Sequence, residues 1–317
     1  MVREINLDSI QALEAQIQEH ERTLIKLKRA RNSLLNVSTL LPPEILGRVF
    51  RWNVIPNGDW GVLPKDSYNF LLVCHHWFQV ASATPELWGF WGNSIEDWAR
   101  RHARCSTGPL DLVLGKHTYC DLDDTLRDAL RDRAARDTIR RVHLWTNNAN
   151  GLLNPIISSI IAEGEGIRSN SMESFILQNK SNWDVDVSNF FSGYHFPKLQ
   201  RLDLHGCSIS SWDLLGSRTT SLTTLELADI GSSPLPTLSQ MLSILSANPN
   251  LRRLMLPFGS VPEVNSDGPS SQIPLHHLKQ FHLKGEFRHV FGLLDRLDLP
   301  DKMDDLGLSL HECPVRF

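Results

Sequence analysis

Apolar residues follow two regimes along this chain. Up to about residue 90 they recur at helical spacing, and beyond about residue 107 short alternating bursts are separated by helical stripes. Between Asn6 and Leu35, residues Ile10, Leu13, Ile17, Leu24, Leu27 and Leu34 keep a 3-4 spacing, with His20 and Arg31 interrupting the seam. About four heptads predict a charged, coiled-coil-like helix over residues 1–36. Such a seam pairs with a second copy or folds back on its own chain. His20 and Arg31 would sit in a dimer seam at a cost, so packing against the body is the expectation.

Residues 38–90 predict three short helices. Pro42 and Pro43 precede Glu44, Ile45, Leu46, Val49 and Phe50, the pattern of a helix start, because proline suits the first turn. Phe70, Val73, Cys74, Trp77, Val80 and Ala81 describe one apolar stripe of a second helix. Thr84 is placed to cap a third, with Pro85 at its first position and Leu87 and Trp88 behind. Between the first two, residues 53–67 are rich in Pro, Gly and Asp and read as an inserted loop. Residues 91–106, with Trp91 and Trp98, read as a linking helix. Three helices in so few residues bury little surface, so the unit is expected to lean on a neighbour or a partner.

From residue 107 to 317 the chain repeats itself. Leu199, Leu202, Leu204, Cys207 and Ile209 fit the pattern LxxLxLxx(N/C)xL, and its LxxLxL core returns from residues 139, 172, 222, 251, 278 and 303. Successive starts lie 23 to 33 residues apart. Leu110, Leu112 and Leu114 form an irregular entry strand, and Leu122 to Leu130, Leu153 to Ile161, Leu238 to Leu245 and Val290 to Leu297 carry helical stripes between strands. The expected fold class is α/β: a helical segment followed by an irregular leucine-rich solenoid with parallel strands inside and helices outside. Only the copy at Leu199 matches the whole signature, so an incomplete ladder of buried polar side chains is expected. No helical stripe follows Leu308; either something unusual covers the last repeat or the product is shortened.

Side chains alternate along a strand, so the residues flanking the strand leucines point away from the core. They nominate a concave surface of Arg141, His143, Trp145, Gln178, Arg201, Asp203, His205, Glu226, Arg253, Met255, His282 and Lys284. Tryptophan and methionine among arginines have the composition of a protein-binding patch.

The block LPPEILGRVF, then VCHHW, then PELW resembles an F-box. The resemblance implies docking to the Skp-type adaptor of a cullin–RING ubiquitin ligase core through Leu41, Pro42, Glu44, Ile45, Leu46, Val49, Phe50, Leu72, Val73, Cys74, Trp77, Leu87 and Trp88. It also implies that the repeats select a protein substrate. The insertion at 53–67 departs from the compact F-box pattern. The whole layout is similar to the large F-box families of mushroom-forming fungi. The alternative is a leucine-rich interaction scaffold outside any ligase, with the F-box a structural cap for the solenoid.

Composition narrows the chemistry. A net charge of −4 over 317 residues offers no field for nucleic acid or anionic lipid, so neither is an expected partner. Five scattered cysteines without a CxxC pair fit free thiols in a reducing compartment. The first thirty residues lack an apolar signal region and no apolar run approaches a membrane span, so a cytoplasmic or nuclear location is expected. Lys26, Lys28, Arg29 and Arg31 resemble a nuclear-targeting run but read as the solvated face of a charged helix. The pairs His75-His76 and His276-His277 have no HExxH or CxxC companion, Gly164 and Gly166 lack the rest of a phosphate loop, and no GxSxG elbow exists. No catalytic residue, metal or cofactor is expected.

Overall fold

The computed structural model describes residues 7–35, 41–54, 68–91, 109–114, 138–146, 170–180, 185–193, 195–230, 235–256 and 272–311. The chain divides into two units, one of residues 1–59 and 63–87 and one of residues 60–62 and 88–317.

In the first unit, α1 (Leu7–Leu35) is one unbroken helix. Its apolar positions from Ile10 to Leu34 are 41% to 86% exposed, so the packing expected of the seam is not found among the described residues. The helix α2 (Pro43–Val54) begins at the second proline, and its first free amides find Pro42 as acceptor, Ile45 and Leu46 both donating to that carbonyl at 3.0 Å. The stripe from Phe70 to Ala81 is not one helix. A 3-10 turn (Asn69–Leu72) is separated from α3 (His75–Ser82) by Cys74, whose backbone is extended. The break lets Phe70 turn back and stack on Phe50, ring centres 4.4 Å apart, while Trp77 from α3 tilts against the same ring at 5.0 Å. Leu46, Phe50, Val54, Phe70, Val80, Ala81 and Leu87 form the buried set of this unit. The expected third helix is a single 3-10 turn (Pro85–Leu87), and Thr84 does not cap it, because its hydroxyl donates back to the Val80 carbonyl at 2.7 Å. Residues 55–67, most of the predicted insertion, lie outside the described residues.

Among its described residues the second unit is mixed α/β, with a nine-stranded sheet in which every neighbouring pair is parallel. Its strands follow chain order: β1 (Phe90–Trp91), β2 (Leu110–Leu114), β3 (Ile139–Thr146), β4 (Ser174–Asn179), β5 (Arg201–His205), β6 (Thr224–Ala228), β7 (Arg253–Leu256), β9 (Gln280–Glu286) and β11 (Asp305–His311). A small parallel pair joins β8 (Ile273–Pro274) to β10 (Leu297–Asp298). Trp91 therefore lies in a strand and not in the expected linking helix, and residues 92–106 lie outside the described residues, as do the stripes at 122–130 and 153–161. Described helices are α4 (Ser188–Gly193), α5 (Trp212–Arg218), α6 (Leu238–Ala247) and α7 (Phe287–Leu294). Leu297 falls in β10, beyond the helix its stripe suggested. Among the described residues no helix is long and apolar enough to cross a membrane.

The register explains the periodicity. Leu112, Val142, Phe175, Leu202, Leu225, Leu254, Phe281 and Leu306 stand side by side across the sheet, as do Leu144, Leu177, Leu204 and Leu227. All but Leu306 are buried, in one core that also takes Trp212 and Leu215 of α5 and Leu238, Met241 and Leu245 of α6. Just before each strand a backbone N–H bonds to the same position one repeat back: Glu173 to Arg140 (2.7 Å), Gln200 to Glu173 (2.8 Å), Thr223 to Gln200 (2.7 Å), Arg252 to Thr223 (2.8 Å), Lys279 to Arg252 (2.8 Å) and Asp304 to Lys279 (2.8 Å). Unequal repeats are thus locked at one point and differ in what lies between.

Buried polar links exist where the ninth-position pattern did not predict them. Asn179, at the eighth position, donates to the Gly206 carbonyl in the next repeat at 2.6 Å. Gly206 has φ +63°, and a Cβ there would land on the Asn179 carbonyl oxygen, so only glycine fits. Asn248, after α6, donates to the carbonyls of Thr219 (2.9 Å) and Ile244 (2.8 Å) and accepts from the Leu222 amide (2.8 Å). One buried side chain thereby satisfies a helix end and the approach to β6 together.

Candidate functional site

Two surfaces concern function. The first belongs to the helical unit. Leu41, just ahead of α2, and the i, i+4 pair Ile45 and Val49 on it are 37%, 43% and 46% exposed, and Trp52, Leu72, Val73 and Phe78 are exposed as well. Pro42 and Glu44 are exposed, and Cys74 and Trp77 are half-buried. Four expected docking residues are instead internal: Leu46, Phe50, Leu87 and Trp88 are buried, which corrects their role. Phe50 is the ring on which Phe70 and Trp77 pack, and Leu46 lies one turn earlier on the same buried face. Alternate faces of one helix thus do different work, and the helical repeat alone did not say which face was which.

The second surface is the sheet face opposite the core. The register sets its residues in three rows. Asp111, Arg141, Ser174, Arg201, Thr224, Arg253, Gln280 and Asp305 form the first, and Val113, His143, Ile176, Asp203, Glu226, Met255, His282 and Gly307 the second. Trp145, Gln178, His205 and Ala228 form the third, with Lys284 and Ser309 paired on the last two strands. All twelve expected residues lie on this face. Two are not surface residues: His143 and Asp203 are only 8% and 2% exposed, as are their row neighbours Val113 and Ile176 at 4% each. The middle row is buried from Val113 to Asp203 and partly exposed from Glu226 to Gly307.

Charge is concentrated at β5 to β7. Arg201 donates to Asp203 Oδ2 at 3.1 Å, and Arg253 donates to Glu226 Oε2 at 3.3 Å and to Met255 Sδ at 3.0 Å. Between the two carboxylates stands His205, whose Nε2–H is directed to Glu226 Oε1 at 3.2 Å. Asp203 Oδ1 is nearer still to the same nitrogen, at 2.8 Å. Burial alone would push the His205 pKa down, yet the two carboxylates outweigh it and raise it to about 9. Burial likewise works against ionised Asp203, but His205 and Arg201 hold its carboxyl below the usual range. Three ligand atoms, one each from Asp203, His205 and Glu226, lie within 4.8 Å of one another, the geometry of a small cation site. The proton on His205 already occupies that point of convergence, and the two arginines neutralise the outer oxygens, so a dication would have to displace a strongly held proton. The arrangement is a charge-paired network that presents arginine and imidazolium edges.

At the start of the sheet Arg140 grips Asp111 with two hydrogen bonds, Nε to Oδ1 at 3.0 Å and Nη2 to Oδ2 at 2.6 Å. Strict alternation missed this pair because the β2–β3 pairing shifts register between Leu110 and Asp111 of β2, which leaves Arg140 as an extra residue on β3. Trp145 carries Lys180 Nζ at 5.4 Å from its ring centre, and His282 Nε2 meets Asp305 Oδ2 at 2.7 Å. Lys180 and Asp305 were absent from the expected set, although the same register positions would have found Asp305.

Set against protein-family models, curated proteins and solved structures, the chain finds no match.

Proposed function

We propose that this chain is a substrate receptor of a cullin–RING ubiquitin ligase. In this reading the helical unit at 41–87 is an F-box that docks a Skp-type adaptor, and the repeats of the second unit are leucine-rich repeats that hold a target protein. The observation that carries it is the exposure of Leu41 just before α2 and of Ile45 and Val49 on it, within the block LPPEILGRVF, while the opposite face of the same helix is buried. A small helical unit that leaves this much apolar surface uncovered is suited to a protein partner. Catalysis is by tethering: a bound target is held near a loaded conjugating enzyme, which raises the effective concentration of its lysines.

The test is capture of purified Skp-type adaptor by the full chain. Wild type should bind, and Ile45→Asp with Val49→Asp should lower affinity at least about 30-fold, since truncating a central interface anchor costs about 2 kcal/mol or more. The thermal unfolding of the variant should match wild type, because both positions face solvent. A wild-type chain that does not bind the adaptor overturns the reading.

A further inference from the structure

The exposed seam of α1 carries an inference independent of the ligase reading. We propose that α1 pairs with α1 of a second copy as an antiparallel two-stranded coiled coil, making the protein a homodimer. The helix is 29 residues long, about 43 Å, and its seam runs through positions 10, 13, 17, 20, 24, 27, 31 and 34 in unbroken 3-4 alternation. Every described apolar residue of that seam is exposed, and no described residue covers it. An isolated helix with such a stripe gains most of its stability from whatever buries the stripe.

The sequence on the helix selects the occupant and its direction. Acids Glu14, Glu19 and Glu21 lie in the first half, and bases Arg22, Lys26, Lys28, Arg29 and Arg31 in the second. In a parallel pair like charges would lie level with like, and the two polar seam residues would face themselves, Arg31 on Arg31 and His20 on His20. Turned antiparallel about a two-fold axis beside Arg22, all eight seam positions still interleave. Ile10 then meets Leu34 of the second copy, Leu13 meets Arg31, Ile17 meets Leu27 and His20 meets Leu24. Glu14 comes level with Lys28 and Arg31 of the second copy, so the Arg31 head reaches a carboxylate while its stem lies on Leu13. The interruptions that argue against a parallel dimer are therefore accommodated in the antiparallel one. The interface is self-complementary, as a two-fold contact requires.

The experiment is mass measurement by light scattering on the full chain from about 1 to 50 μM. Expected is twice the 36.0 kDa chain mass. Ile17→Asp with Leu27→Asp should yield monomer while the second unit keeps its thermal transition. Direction is read by disulfide trapping against a wild-type control: chains with Leu13→Cys mixed with chains with Arg31→Cys should cross-link, and Leu13→Cys chains alone should not. A monomer across the concentration range, a dimer that survives the double aspartate variant, or self-trapping by Leu13→Cys each overturns the proposal.

Discussion

His205 is the residue whose chemistry depends most on where the fold puts it. Its pKa is raised from 6.5 to about 9, so the folded state binds the proton more tightly than the unfolded chain. The stabilisation is then fully present below pH 6.5 and is lost as pH rises through about 9. Stability of the second unit should fall by roughly 2 kcal/mol across that window, and His205→Gln should flatten this slope while leaving acid unfolding in place. Urea titrations at pH 6, 7.5 and 9 measure both; a slope unchanged in the variant would show that His205 is not the group responsible. The sequence placed Asp203, His205 and Glu226 on one face by alternation. It could not show that they touch, because alternation fixes direction and says nothing of reach.

At the scale of elements, helix and strand were legible to different degrees. Strands were easy: the apolar residues at fourth and sixth positions lie where the register stacks them, and even the irregular entry strand at Leu110 is present. Helical boundaries were harder. Phe70 to Ala81 keeps helical spacing across a break at Cys74, since a stripe records which residues share a buried side and does not require one continuous helix. Connections between elements were hardest. Asn248 fits no repeat signature, yet it ties α6 to the chain entering β6 through three hydrogen bonds. Asn248→Ala should cost about 2–4 kcal/mol, because it leaves a buried amide and two carbonyls without that partner. Denaturant unfolding reads this directly, and a loss below about 0.5 kcal/mol would mean that the groups find other partners.

For the molecule as a whole, the sheet is sealed in its middle and open at β11. Leu202 and Leu225 are fully buried, whereas Leu306, Leu308 and Leu310 in the same kind of position are 54%, 44% and 43% exposed, with Phe287 and Phe291 of α7 exposed too. Stability in a stacked array depends on neighbours, and β11 has a neighbour, β9, on one side only among the described residues. Amide exchange should therefore be fastest at Leu306 to Leu310 and slowest in β5 and β6. Equal protection along the sheet would show that the outer face of β11 is covered in solution.

By itself the sequence determined the period: where strands recur, which of their residues face inward, and that the leading segment is a charged heptad helix. Those features depend on residue spacing alone, which local geometry converts directly into faces. The tertiary structure decided the rest. It buried Leu46 and Phe50 while exposing Ile45 and Val49, left the α1 seam exposed, and set His205 between two carboxylates. Each of these depends on distances between segments far apart in the chain, which no one-dimensional pattern contains.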